Sequence, residues 1–158
     1  MSEQSTPCYQ VTIPGTLAPY SLTIQGRLPG LNEYTDATRR HRQKGAEMKS
    51  EWQTVVQWAI RQQLRGLVID KPVFLIFTWI EKDRRRDRDN VSSFGRKVIQ
   101  DALVASGVLA DDGWDEVTGY LDRYDVDPQN PRIVVQFIEQ EGTTCRKRQG
   151  KNCKKSRK

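Results

Sequence analysis

Hydrophobic positions along the chain fall into two periods. Tyr20, Leu22 and Ile24 alternate with Ser21, Thr23 and Gln25, the pattern of a strand covered on one face, until Gly26, Pro29 and Gly30 break it. Upstream, Val11 and Ile13 suggest a short edge strand. Met48, Trp52, Val55, Ala59 and Ile60 recur at three- and four-residue steps, which predicts a helix from about Ala46 to Leu67 with Trp52 and Trp58 packed on a sheet. Val73 to Ile80 is almost wholly apolar or β-branched, as a central strand buried on both faces would be. A second helical stripe runs through Val91, Phe94, Val98, Ala102 and Ala105, with Asn90, Ser92 or Ser93 as its cap and an end near Gly107. Val117–Asp125 and Arg132–Ile138 read as two further strands, joined as a hairpin through the turn-rich residues 127–131. The expected class is α/β (α+β), a small mixed β-sheet packed with two main helices.

One stretch has no apolar period. Leu31 to Lys44 is polar and carries Arg39, Arg40, His41, Arg42 and Lys44. It reads either as a solvated loop running into a helix or as an arm that contacts phosphates.

Charge adds a boundary. The chain has 158 residues and a formal net charge of +6, and the excess sits entirely in residues 139–158, where eight Lys or Arg face two Glu. The other 138 residues carry 18 charges of each sign, so a nucleic-acid face in the body must come from local segregation of charge. A folded domain over 1–138 and a basic tail over 139–158, of a composition that does not favour folding, are expected. Cys8, Cys145 and Cys153 match neither a zinc knuckle nor a disulfide framework and are expected as free thiols in a reducing compartment. With no signal-peptide pattern and no apolar run of membrane-spanning length, a cytoplasmic location is expected.

The chemistry concentrates directly after the apolar strand. Asp87 and Asp89 are two apart, and on extended backbone both side chains leave one side, where a hard divalent cation would relieve their repulsion. Asp111 and Asp112 follow the second helix and are positioned to return toward its start. Lys97 lies two turns beyond Asp89 and one turn before Asp101, where it would either approach a metal-held phosphate or pair with Asp101. The same aspartates stand among Arg84, Arg85, Arg86 and Arg88, and a surface loop of mutual ion pairs reads equally well.

Asp87-Arg88-Asp89-Asn90, Lys97, Asp101-Ala102-Leu103, Gly107-Val108-Leu109 and Asp111-Asp112-Gly113-Trp114 resemble the RusA family of Holliday junction resolvases. The likeness is strongest over about residues 77–117 and extends weakly to Gly26–Asn32 and the basic segment behind it. It implies Mg²⁺-dependent phosphodiester hydrolysis, with Mn²⁺ as a substitute, leaving 5′-phosphate and 3′-hydroxyl ends. Asp87, Asp89 and Asp112 would hold the metal, Asp111 would stand as substitute for Asp112, Lys97 would stabilise the transition state, and Asn90 would fix the loop or a supporting contact. Many members place the lysine four residues after the second aspartate. Here Ser93 occupies that position and Lys97 follows at eight, a shift of one helical turn.

The resemblance further implies a symmetric homodimer acting on branched DNA, four-way junctions above all, in recombination or repair, in a bacterial or prophage setting. Arg27, Arg39, Arg40, Arg42 and Lys44 are candidates for the DNA face, and Arg84, Arg85, Arg86 and Arg88 for contacts near the scissile strand. The basic tail would add salt-sensitive affinity or serve as a solubilising end. Three alternatives stay open: a catalytically silent binder of branched DNA, a nuclease preferring flaps or forks, and an interaction protein whose charges only form surface ion pairs.

Overall fold

A computed structural model describes residues 16–141. The Val11–Ile13 strand and the basic residues from 142 onward lie outside that range. The elements in order are β1 (Thr16–Gln25), α1 (Leu31–Arg40), α2 (Arg42–Gln63), β2 (Val73–Glu81), α3 (Arg88–Ala105), β3 (Val117–Val126) and β4 (Arg132–Glu139). They make a small α+β domain: three helices and one mixed four-stranded sheet ordered β1-β4-β2-β3.

The burial of β2 on both faces, expected from its unbroken apolar run, is observed. Val73, Leu75, Phe77 and Trp79 belong to the main core with Leu22 and Ile24 of β1, Ile133, Val135 and Phe137 of β4, and the inner faces of α2 and α3. Ile76 and Ile80, of opposite parity, are also buried, as expected of a strand covered on both faces. Helix α3 comes close to β2 at Gly95, where any Cβ would stand 2.9 Å from the Trp79 ring. The Trp79 indole N–H donates to Asp122 of β3 at 2.9 Å, and Arg96 of α3 pairs with the same carboxylate.

Three expectations are corrected. The hairpin between the last two strands does not form: β2 lies between them, parallel to β3 and antiparallel to β4. β2–α3–β3 is instead a crossover unit, the route by which a helix joins adjacent parallel strands, and residues 127–131 pass the end of β2. The polar stretch after Gly30 is helical. α1 buries no residue of its own, but Tyr34 stacks on Phe94 of α3 with centroids 4.7 Å apart, one aromatic contact that a periodicity test cannot see. In α2 the inward stripe runs through Met48, Trp52, Val56, Ala59 and Ile60, leaving Val55 and Trp58 exposed, so only one of the two tryptophans packs on the core.

α1 begins without a cap of its own, because its N-cap residue is Gly30. Asn90 of α3 supplies one from outside: its Oδ1 accepts the Asn32 N–H at 2.9 Å. A Cβ on residue 30 would stand 2.5 Å from that oxygen, which explains the glycine. Asn90→Ala is therefore expected to lower stability by about 1 kcal/mol, the usual cost of losing a helix cap. Asn90→Asp should restore most of it, since a carboxylate also accepts; urea denaturation of the two variants checks this.

Candidate functional site

The C-terminal end of β2, the loop behind it and the first turn of α3 enclose a cavity of about 800 Å³ with the end of β3. Its lining includes Asp83, Arg84, Asp87, Arg88, Asp89 and Asp125. Asp87 is the N-cap of α3, accepting the Asn90 N–H on Oδ1 at 2.8 Å, and Asp89 sits in the first helical turn. The Asp-x-Asp segment expected as extended backbone is thus a cap and a helix start, and both aspartates are exposed. The cap is Asp87 itself, not Asn90, Ser92 or Ser93. Two acids at a helix N-terminus are favoured by the helix dipole with or without a cation.

The arginines divide into two kinds. Arg84, Arg85 and Arg88 are exposed: Arg85 pairs with Asp83, and the Arg88 guanidinium lies 5.4 Å from the Tyr124 ring centroid. Arg86 is different. Its side chain is 12% exposed, bidentate on Glu81 at 2.7 and 3.2 Å, and it donates to the Leu28 carbonyl at 3.0 Å. Arg27 also approaches Glu81, at 3.5 Å. Arg86 therefore leaves the set of DNA-contact candidates: it clamps the strand end to the 26–30 turn. Arg39, Arg40, Arg42 and Lys44 are exposed along the end of α1 and the start of α2, with His41 at the break between them.

Lys97, Asp101 and Asp112 form a second cluster. The Lys97 ammonium donates to Asp101 at 2.8 Å and to Asp112 at 2.7 Å, and Lys49 of α2 reaches the other Asp101 oxygen at 2.6 Å. Asp111 accepts the Asp112 backbone N–H at 2.8 Å. Hydrogen bonds that Lys97 donates to Asp101 and Asp112 raise its pKa against a smaller opposing effect of burial. For Asp101, burial alone would raise the carboxyl, but the hydrogen bonds and charges of Lys49 and Lys97 outweigh it and hold the group low.

A carboxylate depressed in the native state stabilises the fold fully above its ordinary value of 3.8 and loses that contribution as pH falls through its lower native value. Lys97, raised, contributes fully below its ordinary 10.5 and loses it as pH rises through its native value. Asp101→Asn should thus cost stability at neutral pH, and the gap to wild type should close in acid. Denaturation curves of both proteins at neutral and acid pH read this directly.

Asp87 and Asp89 share the strand-end cavity, while Asp112 stands with Lys97. Eight residues of helix separate Asp89 from Lys97, about 12 Å along the axis. Among the described residues no three His, Cys, Asp or Glu side chains, these three aspartates included, are grouped closely enough to hold one metal ion. Three participants escaped the sequence reading. Glu81 has the inward parity of β2, a charge where the pattern demands an apolar residue, which was a usable signal. Tyr124 and Asp125 reach the cavity only because β3 lies parallel to β2. The Tyr124 phenol pKa is pushed up, chiefly by burial, and its hydroxyl bonds Ser92 at 3.0 Å.

No protein-family model matches the chain, and no curated protein does. None of the helices among the described residues is long and apolar enough to cross a membrane.

Proposed function

We propose that the protein is a metal-dependent endodeoxyribonuclease of branched DNA, with a RusA-like fold, acting on four-way junctions as a homodimer. The observation that carries this reading is the strand-end cavity, where Asp87 and Asp89 stand together among the exposed arginines Arg84 and Arg88. Its donors are carboxylate oxygens, which suit Mg²⁺ or Mn²⁺. Mg²⁺ is commonly held by only one or two carboxylates, with water and substrate phosphate completing its shell, so Asp87 and Asp89 suffice to hold it. When bound, such an ion supplies polarisation of the scissile phosphate and activation of water. Arg84 and Arg88 neutralise the strand entering the cavity, and Arg39, Arg40, Arg42 and Lys44 engage phosphates farther along. Asp112 pairs with Lys97 rather than joining the first two acids, so the metal rests on Asp87 and Asp89, and Lys97 is left no direct contact with the scissile phosphate.

The location of Asp112 favours one competing reading, a branched-DNA binder that cuts nothing, since Asp87 and Asp89 also have purely structural value as helix-start acids. Labelled four-way junction, flap, fork and linear duplex, each incubated with Mg²⁺, Mn²⁺ or EDTA, separate the two. Cation-dependent cutting of the junction is the expected result. Junction binding with no cutting under any cation would leave the silent binder standing, and preferential flap or fork cutting would reassign the substrate.

A further inference from the structure

Helix α2 carries a second stripe, turned outward. Glu47, Glu51, Thr54, Trp58 and Arg61 follow one another at alternate steps of four and three residues, so they line up along one side of the helix, and all five are exposed. Trp58 is 65% exposed, and Val55 beside it 45%. The side chains that pack on the core, Met48, Trp52, Val56, Ala59 and Ile60, lie on the opposite side, so the fold makes no use of this line.

The line is ordered by charge. Its first turns are acidic, its middle is apolar and its end is basic, with Arg65 following just past the helix. Glu47, Glu51 and Arg61 form no ion pair among the described residues. Such an order is complementary to itself when reversed. In an antiparallel pair of α2 helices with a two-fold axis level with residue 56, Glu51 of each copy stands opposite Arg61 of the other, and Trp58 stands opposite Thr54. Thr54 lines a shallow groove of about 440 Å³ with Glu47, Ser50 and Glu51, which receives the incoming indole in that register. Glu47 then faces Arg65. A parallel pair would set Glu51 on Glu51 and Arg61 on Arg61, like charge on like. Charge pairs flanking an apolar seam choose partner and orientation between helices in this way. The acids also make the face a poor one for nucleic acid, whose phosphates they repel.

We propose that the outer face of α2 is the contact between two copies of this chain, packed antiparallel about a two-fold axis, with Glu51 against Arg61 on both sides of a Trp58–Thr54 centre. This gives a surface to the homodimer of the nuclease reading and rests on that reading only for what the dimer is used for. A contact of about 21 Å of helix is at the small end of specific interfaces, so the dimer should dissociate on dilution.

The test is sedimentation equilibrium of the full chain over a range of concentrations, with reductant and without DNA or metal. Wild type should pass from monomer to dimer. Glu51→Arg and Arg61→Glu should each weaken association by at least about tenfold, since each turns two symmetric attractions into repulsions. An equimolar mixture of these two variants should dimerise as wild type does, because every reversed charge then meets its opposite. Trp58→Ala should weaken association by a similar factor. A chain that stays monomeric, single variants that dimerise like wild type, or a mixture that associates no better than its components would overturn the contact. Circular dichroism of each variant confirms the fold. Absence of junction cutting would leave these results unaffected, and cutting by a monomer would overturn the contact without touching the strand-end site.

Discussion

Asp89→Asn should lower the rate of junction cleavage by at least about 100-fold while leaving junction binding and the fold in place. Losing a carboxylate that holds a catalytic cation removes several kcal/mol of transition-state stabilisation, and roughly 3 kcal/mol is already a factor of about 100. The structural cost should be slight. Asp87, not Asp89, caps α3, so the substitution removes only a favourable charge from the first turn, about 0.3–1 kcal/mol. Asp87→Asn is the less clean probe because it disturbs the Asn90 N–H bond as well. Single-turnover cleavage in Mg²⁺, paired with a gel-shift measurement in Ca²⁺ or EDTA, separates chemistry from affinity. Cutting by the Asp89 variant within threefold of wild type would remove the strand-end acids from any catalytic role. Asp112→Asn carries a different expectation: it frees Lys97 from one of two partners, so its effect on cleavage should be smaller than that of Asp89→Asn.

What was legible in the sequence is what local periodicity encodes. The unbroken apolar run of β2 and the three-to-four-residue stripe of α3 pointed to both elements, and the acids were found where β2 stops. Two kinds of fact were hidden. Strand neighbours are set by the whole sheet: the turn-rich residues 127–131 look like a hairpin connection, yet β2 buries more apolar surface as a central strand than a β3–β4 pair would with β2 at an edge, and it lies between them. α1 was hidden for another reason. Its anchors are supplied by α3, namely the Asn90 cap and the Phe94 ring under Tyr34, so its own residues carry no apolar stripe. The candidate site was half legible for the same cause. Asp87 and Asp89 are local to one another, whereas the place of Asp112 depends on how the chain returns after Gly107, and it returns to Lys97.

Breaking the Glu81–Arg86 clamp should be the most damaging change near the site. Both side chains are nearly buried, 11% and 12% exposed, and the guanidinium is bidentate. A buried pair of this kind is a weak net stabiliser compared with apolar residues of the same volume, but removing one partner strands the other charge and costs about 3–5 kcal/mol. The two single variants should not be equal. Arg86→Ala leaves Glu81 with Arg27 at 3.5 Å, which softens the loss. Glu81→Ala leaves both arginines crowded at the strand end, with only Glu33 at 3.9 Å from Arg86, so it belongs at the upper end of the range. The double change Glu81→Leu with Arg86→Met should lose less than either single variant, because no buried charge remains. Urea denaturation of wild type, Glu81→Ala, Arg86→Ala and the double Glu81→Ala/Arg86→Ala closes the cycle, with the Leu/Met protein as a separate comparison. Additive losses would show that the two side chains act independently. A coupling of roughly 2 kcal/mol or more is the expected outcome for residues in direct contact. Arg86 also donates to the Leu28 carbonyl, so Arg86→Ala should loosen the 26–30 turn and, through Gly30, the start of α1. The basic helix and the strand-end acids would then lose their fixed relation, and junction affinity should fall in the Arg86 variant even at temperatures where the domain stays folded.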